Sequence, residues 1–294
     1  MTHPHGIIVG DRPMVVDLHT HSTASDGSET PSTLVEMATR RGLNALALTD
    51  HDTVEGIDEA RAAAETAGIE LIPGTELSLD FEAGMHLVVL WLEPGAGPLQ
   101  DRLGMLQAGR NERNAVIVEL LVDLGMPVTV EEVSEEAGWG SVGRPHIAAV
   151  MMRKGYVSSL AEAFDLWLGA GRPAYAARLR LPPEEAIDLA RRSGGVPVLA
   201  HPHTLGINRA REMAELLTRL RSAGLIGLEA FCAGYHRHER EGYADLARRF
   251  GLVPSGGSDY HGRYKPGLEL GVGYGDLAVP DAIVDQLRMY ARAS

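Results

Sequence analysis

The run MVVDLHTHSTASDG, residues 14–27, sets Met14, Val15 and Val16 shortly before two histidines spaced two residues apart. A short uninterrupted apolar run reads as a strand covered on both faces. Residues i and i+2 of a strand point to the same side, so His19 and His21 converge on one point. Asp26 follows in the loop, five residues on. Fold and chemistry both turn on what sits where these side chains meet.

Similar apolar runs recur at 44–48, 69–72, 86–92, 196–200, 225–231 and 252–255. Helices with clear punctuation lie between them. Thr30-Pro31 is an N-cap followed by proline at the first helical position, opening a helix that stops near Gly42. Residues 54–67 form a second helix ending at Gly68, and 182–193 another ending at Gly194-Gly195. Strand–helix alternation predicts an α/β fold with a parallel sheet of βαβ units, and about seven strands predict a closed or nearly closed barrel. Residues 98–173 break the pattern. They read as consecutive helices at 98–124, 129–137, 144–154 and 159–168, between EPGAGP and GAGRPAY. The expected organisation is a loose tail at 1–13, barrel at 14–97, a helical insertion at 98–173 and barrel again at 174–294. Neither repeats nor low-complexity tracts occur.

The net charge is −13, from 27 Lys and Arg against 40 Asp and Glu. That excludes a protein that coats nucleic acid, whose affinity comes from neutralising phosphates. A small anionic substrate stays open, because bound dications invert the local sign. The single cysteine, Cys232, rules out an internal disulfide and a thiolate zinc site, and reads as a small core residue. The most apolar stretch, 87–92, is too short to span a bilayer, and residues 1–13 lack a signal-peptide core. The expectation is a cytoplasmic enzyme without a membrane segment or a stable protein partner.

Six of the 12 histidines fall at a strand end or start: His19, His21, His51, His86, His201 and His261. Three carboxylates share that habit, Asp26, Glu76 after strand 69–72, and Asp259 in GGSDYHG. In a parallel barrel the strand C-termini open on one face, where the active site lies. One such histidine is more often a capping residue than a ligand, but nine metal-ligand types on one rim are too many for that. Imidazoles and carboxylates without thiolate suit Zn²⁺, Mn²⁺ or Fe²⁺. Nine exceed the needs of one ion, so the set predicts a multinuclear centre that activates a water and clamps the oxygens of an in-line displacement. His3 and His5 belong to the tail, and His236 and His238 to a charged, solvated helix face.

The motifs DLHTHSTASDG (17–27), ALTDHDTVEG (47–56), LAHP (199–202) and GGSDYHG (256–262), in that order, resemble those of the polymerase-and-histidinol-phosphatase (PHP) family of metal-dependent phosphoesterases. PGTELS (73–78) and MHLVVL (85–90) supply the intervening positions. The resemblance covers 14–97 and 174–294. It implies a distorted (β/α)7 barrel with two or three divalent ions, Mn²⁺ foremost and Zn²⁺ or Fe²⁺ also suited. Carried over, His19, His21, Glu76 and Asp259 would hold one ion. Glu76 would bridge to a second on His86 and His201, and Asp26, His51 and His261 would hold a third.

The insertion narrows the choice. GRPHIAAVMMRKGYV (143–157) and AFDLWLGAGRPAY (163–175) resemble the subgroup of nucleoside 3′,5′-bisphosphate phosphatases and 5′-to-3′ exoribonucleases, in which the insertion is a lid. Arg144 and Arg172 match arginines that grip the substrate's other phosphate, a task suited to the planar guanidinium fork. His146, Tyr175, His203 and Lys265 are further candidate contacts, with His203 alternatively a hydrogen-bond partner behind the ligands and Lys265 an exposed turn residue. Asp50 and Asp52 flank His51, either to orient its ring or to cap the next helix.

The resulting expectation is hydrolysis of a phosphate ester of a nucleotide or short oligonucleotide by a metal-bound hydroxide. His201, His261 and Asp259 are the candidates for handling the leaving-group proton. The rivals are a histidinol-phosphate-type phosphatase, which gives no reason for paired arginines, a metal amidohydrolase, which often needs a strand lysine, and a non-catalytic binding module. The chain has only Lys154 and Lys265, neither in an expected strand.

Overall fold

The computed structural model describes residues 15–81, 84–138 and 140–291; the expected tail at 1–13 lies outside them. Seven strands lie where the apolar runs predict: β1 (Val15–Asp17), β2 (Ala45–Leu48), β3 (Glu70–Ser78), β4 (His86–Leu90), β5 (Val196–Leu199), β6 (Gly227–Cys232) and β7 (Val253–Gly257). An eighth, β8 (Val279–Pro280), pairs antiparallel with β1. Two residues, one a proline, leave no period to read.

The strands form one sheet in the order β7-β6-β5-β4-β3-β2-β1-β8. It closes almost fully, because the chain beyond β1 runs beside the chain beyond β7. The Leu18 N–H donates to the Gly256 carbonyl (3.2 Å) and the His21 N–H to that of Tyr260 (2.9 Å). Gly257 permits this approach, since a Cβ there would lie 2.5 Å from the Cβ of His19.

Two expectations change. The barrel is not wholly parallel: β4 is antiparallel to both β3 and β5, because the seven residues between β3 and β4 are too few for the crossover a parallel pair needs. The reversal matters for the site. His86 opens β4, and only an antiparallel strand brings its first residue to the rim where its parallel neighbours end. Strand β3 also continues through Ser78, so Glu76 is a strand residue and not a loop residue.

Ten α-helices are found among the described residues. Those outside the barrel pattern are α3 (Gln100–Asp123), α4 (Val130–Ala137), α5 (Arg144–Arg153) and α6 (Leu160–Ala163). The expected helix at 159–168 is split into α6 and a π-helical turn, Phe164–Leu168. The others are α1 (Pro31–Arg41), α2 (Ile57–Ala67), α7 (Pro183–Arg192), α8 (Ala210–Ala223), α9 (Arg237–Arg249) and α10 (Ala282–Arg288). Helix α1 has the cap its sequence announces: Thr30 accepts from the Thr33 N–H and Gly42 ends it in the left-handed region, at φ 74°.

Two apolar clusters fill the barrel and pack its helices, and a third belongs to the insertion. Helix α3 joins two of them. Leu103 and Leu106 are buried with the barrel, whereas Ile117 and Leu121 are buried with Ile147, Val150 and Met151 of α5. Arg110 and Arg113 fall between those ends, buried at mid-helix. No helix among the described residues is long and apolar enough to cross a membrane.

Candidate active site

Glu76 stands at the centre of the rim with only 1% of its surface exposed. Its Oε2 lies 3.2 Å from His19 Nε2, His21 Nε2 and His51 Nδ1. Its Oε1 lies 2.9 Å from His86 Nδ1 and 3.0 Å from His201 Nε2. Asp259 Oδ1 approaches His19 Nε2 at 3.6 Å and His21 Nε2 at 3.3 Å. Asp26 faces His261 Nε2 at 3.5 Å and His51 Nε2 at 3.9 Å. The nine rim residues read from the sequence thus meet in one cluster. Three sets within it place their donor atoms close enough for one ion each: His19, His21, Glu76 and Asp259; His21, Asp26, His51 and His261; and His51, Glu76 and His86.

The chemistry of the cluster fits divalent cations. Buried polar atoms normally find partners, yet His19 Nε2, both ring nitrogens of His21 and His51 Nδ1 have none. The surrounding hydrogen bonds also set tautomers. The His19 Nδ1–H donates to Glu229 (3.1 Å) and the His261 Nδ1–H to the Asp259 carbonyl (2.8 Å). The His201 Nδ1–H donates to Thr204 Oγ1 (3.2 Å), whose own hydroxyl donates to the His201 carbonyl. Each ring therefore turns a lone pair inward, the arrangement a metal ligand needs. Burial opposes charge on Glu76, but His19, His51 and His86 overcome it and hold its carboxyl well below the usual range. Burial likewise opposes charge on His21, and Asp259 and Glu76 outweigh it, raising its pKa to about 9. Clustered carboxylates draw in protons where cations are wanted.

The supporting residues are only partly those the sequence marks. Glu229 of β6 accepts from His19 and, at 2.5 Å, from the His201 N–H; its only sequence signal is one carboxylate inside an apolar run. Asp17 accepts from the N–H groups of Ser258 and Gly271, both at 2.8 Å, tying β1 to the far end of the chain. His201 and Asp259 have left-handed backbones, φ 25° and 56°, the kind of strain that collects at functional sites. Asp50 and Asp52 correct the expectation. Asp50 neither orients His51 nor caps α2; it accepts from the Ser22 N–H and from the hydroxyls of Ser22 and Ser25, fixing the loop that carries Asp26. Asp52 pairs with Arg110 (2.6 Å) and Arg178 (2.8 Å), and the N-cap of α2 is Gly56, without a side-chain cap.

A cavity of about 430 Å³ opens from Asp26, His51, His86 and His261 towards the insertion. Arg110, Arg113, Arg144, Arg178 and Arg180 line its far side, with Tyr175. Arg144 is held by the Leu168 carbonyl (3.1 Å) and lies over the Phe164 ring. Asp52 is the carboxylate paired within this group, and burial is outweighed there by Arg110 and Arg178, which push its pKa down to about 2. Burial, together with Arg110, Arg144 and Arg178, pushes Arg113 down to about 8. The cavity holds an excess of cationic charge and calls for an anion. Arg110, Arg113, Arg178 and Arg180 carry no sequence motif, so the sequence alone does not mark them.

Two expected contacts are placed elsewhere. Arg172 is exposed and does not line the cavity, because the chain folds on itself there: the Arg172 N–H donates to Gly169 and the Tyr175 N–H to Arg172. His146 is buried in the first turn of α5, where Nδ1 accepts from the Gly143 N–H (3.0 Å) and the ring meets Tyr264 edge-on. It has a capping role and does not line the cavity. His203 and Lys265 line a smaller cavity on the other side of the rim, and Lys265 also lines the larger one and pairs with Asp259. Cys232 is buried, which pushes its thiol pKa up, and His236 and His238 are exposed, as the sequence predicts.

The fold and the rim cluster define a metal-dependent phosphoesterase, and comparison with known proteins agrees. The chain resembles a solved structure from Bifidobacterium adolescentis assigned to the metal-dependent phosphoesterases, with a TM-score of 0.85 and 30% identity over 96% of this chain and 99% of that one. The PHP domain model matches residues 17–105. A 5′-3′ exoribonuclease of Haemophilus influenzae is 36% identical over 83% of this chain and 89% of the relative. A 3′,5′-nucleoside bisphosphate phosphatase of Chromobacterium violaceum is 30% identical over 87% and 90%. The chain belongs to the PHP family of metal-dependent phosphoesterases, hydrolases of phosphoric esters.

Proposed function

We propose that the protein hydrolyses a phosphate ester of a nucleotide that carries a second phosphate, as the name of the Chromobacterium violaceum relative suggests. The observation that carries this reading is the arginine-lined cavity, which opens directly off the rim cluster and shares four of its residues. Residues 98–173 act as the substrate lid, contributing Arg110, Arg113 and Arg144. The centre takes two or three divalent ions, Mn²⁺ foremost: one on His19, His21, Glu76 and Asp259, one on Glu76, His86 and His201, and one on Asp26, His51 and His261. When bound, the ions lower the pKa of water and bind the oxygens of the scissile phosphate.

The chain's own groups do the rest. Arg144, fixed against Phe164 and Leu168, grips the second phosphate, and Arg110 and Arg178 reach it from Asp52. This fixes the reacting phosphorus by holding the substrate at its other end. His201 and His261 present lone pairs inward and so have no proton to give. The leaving oxygen takes its proton from the Asp259–Lys265 pair or from a water that pair holds. With the 5′-phosphate in the arginine cavity, the bond broken is that from phosphorus to the 3′-oxygen. One geometry then serves a 3′-phosphate and the first internucleotide link alike.

The test is phosphate release with added Mn²⁺ from adenosine 3′,5′-bisphosphate, AMP and histidinol phosphate. A strong preference for the bisphosphate is expected. Equal rates on the bisphosphate and AMP overturn the second-phosphate reading, and release from histidinol phosphate alone favours the rival phosphatase.

A further inference from the structure

The smaller cavity, about 310 Å³, includes residues of the rim cluster, but its outer lining, from His203 and Thr204 to Gly234 and Tyr274, has no part in the mechanism above. It shares His51, His86, His261 and Lys265 with the arginine-lined cavity, so two arms meet at the rim cluster from opposite sides. Their chemistry differs sharply. The first arm holds five arginines. The second holds none, and its one cation, Lys265, is already paired with Asp259. Its lining includes the small residues Cys232, Ala233 and Gly234, together with two rings, His203 and Tyr274.

Tyr274 is 62% exposed, more than any other large hydrophobic residue of the described chain except Met289. The turn that carries it is nevertheless well held. Gly273 and Gly275 on either side are left-handed, φ 58° and 106°, and Glu269 and Gly273 exchange both backbone hydrogen bonds at 2.8 Å. An aromatic ring is thus presented to water on a fixed backbone, at the edge of an arginine-free cleft that opens on the reaction centre. Leaving it there forgoes the burial that stabilises most such rings. A planar, uncharged ligand of the same kind would recover it.

We propose that this second arm binds the nucleotide beyond the scissile phosphate, with Tyr274 stacking on its base. The inference rests on the reading that the arginine arm holds the 5′-phosphate. Stacking suits a site that must take any base, since every base has a π-face, and an arm free of arginine does not compete for the terminal phosphate. In the step itself the water oxygen bonds to phosphorus and the bond to the 3′-oxygen of the first nucleoside breaks. The proton goes to that 3′-oxygen, and the downstream nucleotide leaves with the phosphate as its new 5′-end. The shortened chain then carries the same end group as its parent and re-enters the arginine arm.

The experiment compares kcat/KM for the 5′-phosphorylated dinucleotide pApA with that for adenosine 3′,5′-bisphosphate, which cannot reach the second arm with a base. In Tyr274→Ala the ratio of the two should fall about tenfold, the scale of one lost stacking contact. Tyr274→Phe, which keeps the ring, should preserve it. A pApA analogue without the downstream base should show the reduced ratio already in the unmodified protein. A ratio unchanged by Tyr274→Ala overturns the proposal, as does pApA turning over with or without its second base at one rate. If adenosine 3′,5′-bisphosphate itself is not cleaved, the failure lies with the arginine arm and not with the second one.

Discussion

Oδ2 of Asp52 lies 2.6 Å from Nη2 of Arg110 in surroundings closed to water. This contact helps tie the insertion to the reaction centre, because Asp52 follows His51 and its N–H donates to the Glu76 carbonyl at 3.0 Å. A second arginine, Arg178, meets the same oxygen at 2.8 Å. Replacing Asp52 with asparagine leaves two buried guanidinium groups without their counter-charge. The expected loss is about 3 kcal/mol of stability, measured by urea unfolding at pH 7, together with weaker binding of the bisphosphate.

The same pair sets an acid limit. Because Arg110 and Arg178 hold Asp52 at about 2, below the ordinary carboxylate value, its contribution is complete above about pH 4 and fades as the pH falls towards 2. The unmodified protein should therefore lose stability more steeply than Asp52→Asn over that interval. Parallel acid-unfolding curves for the two proteins would refute this.

His146 predicts a pH dependence in a different window. Burial lowers its pKa to about 4, below the unfolded value, so folding favours the neutral ring. Stability is full above about pH 6.5 and declines as the pH falls towards 4, by about 3 kcal/mol at most. His146→Gln, which cannot titrate, should flatten that part of the melting-temperature profile. An unaltered profile would remove the burial argument.

Arg144 and Arg172 separate position from motif. Arg144 faces the cavity and Arg172 faces solvent. Arg144→Ala should lower kcat/KM for the bisphosphate by a factor of about 10 to 100, the scale of a charged hydrogen-bond pair. Arg172→Ala should change it less than about threefold, as expected for a surface side chain. Equal losses in the two variants would show that the 169–175 turn swings inwards on substrate.

Glu229 tests the support behind the ligands. It accepts from His19 Nδ1 and the His201 backbone at once, so it orients two rings of the cluster. Glu229→Gln should weaken Mn²⁺ binding about 10- to 100-fold, read as bound metal against free metal in a titration. Undiminished affinity would reduce Glu229 to a packing residue.

The sequence was most informative where a rule of period or spacing applies. The apolar runs locate seven strands, and H-x-H at the end of β1 points to the cluster because a strand's geometry aligns i and i+2. What it hid has physical causes. The reversal of β4 leaves no trace in an apolar run, because burial on both faces reads the same in either direction. Strand β8 is too short for periodicity. Arg110 and Arg113 are ordinary helix formers on a long helical stretch, and only the folded α3 shows that they face a cavity. Arg172 shows the opposite case: an Arg-Pro pair is conspicuous in sequence, whereas a turn decides which way it points.

Helix α3 has a consequence for access. One unbroken 24-residue helix is rooted in the barrel at Leu103 and in the insertion at Ile117 and Leu121, so the roof over the centre is braced like a beam and not hung like a door. A brace of this kind keeps Arg110 and Arg113 at a constant reach from the rim through every turnover. On the function proposed above, such a fixed roof would favour substrates that enter by a free end over those cut in the middle.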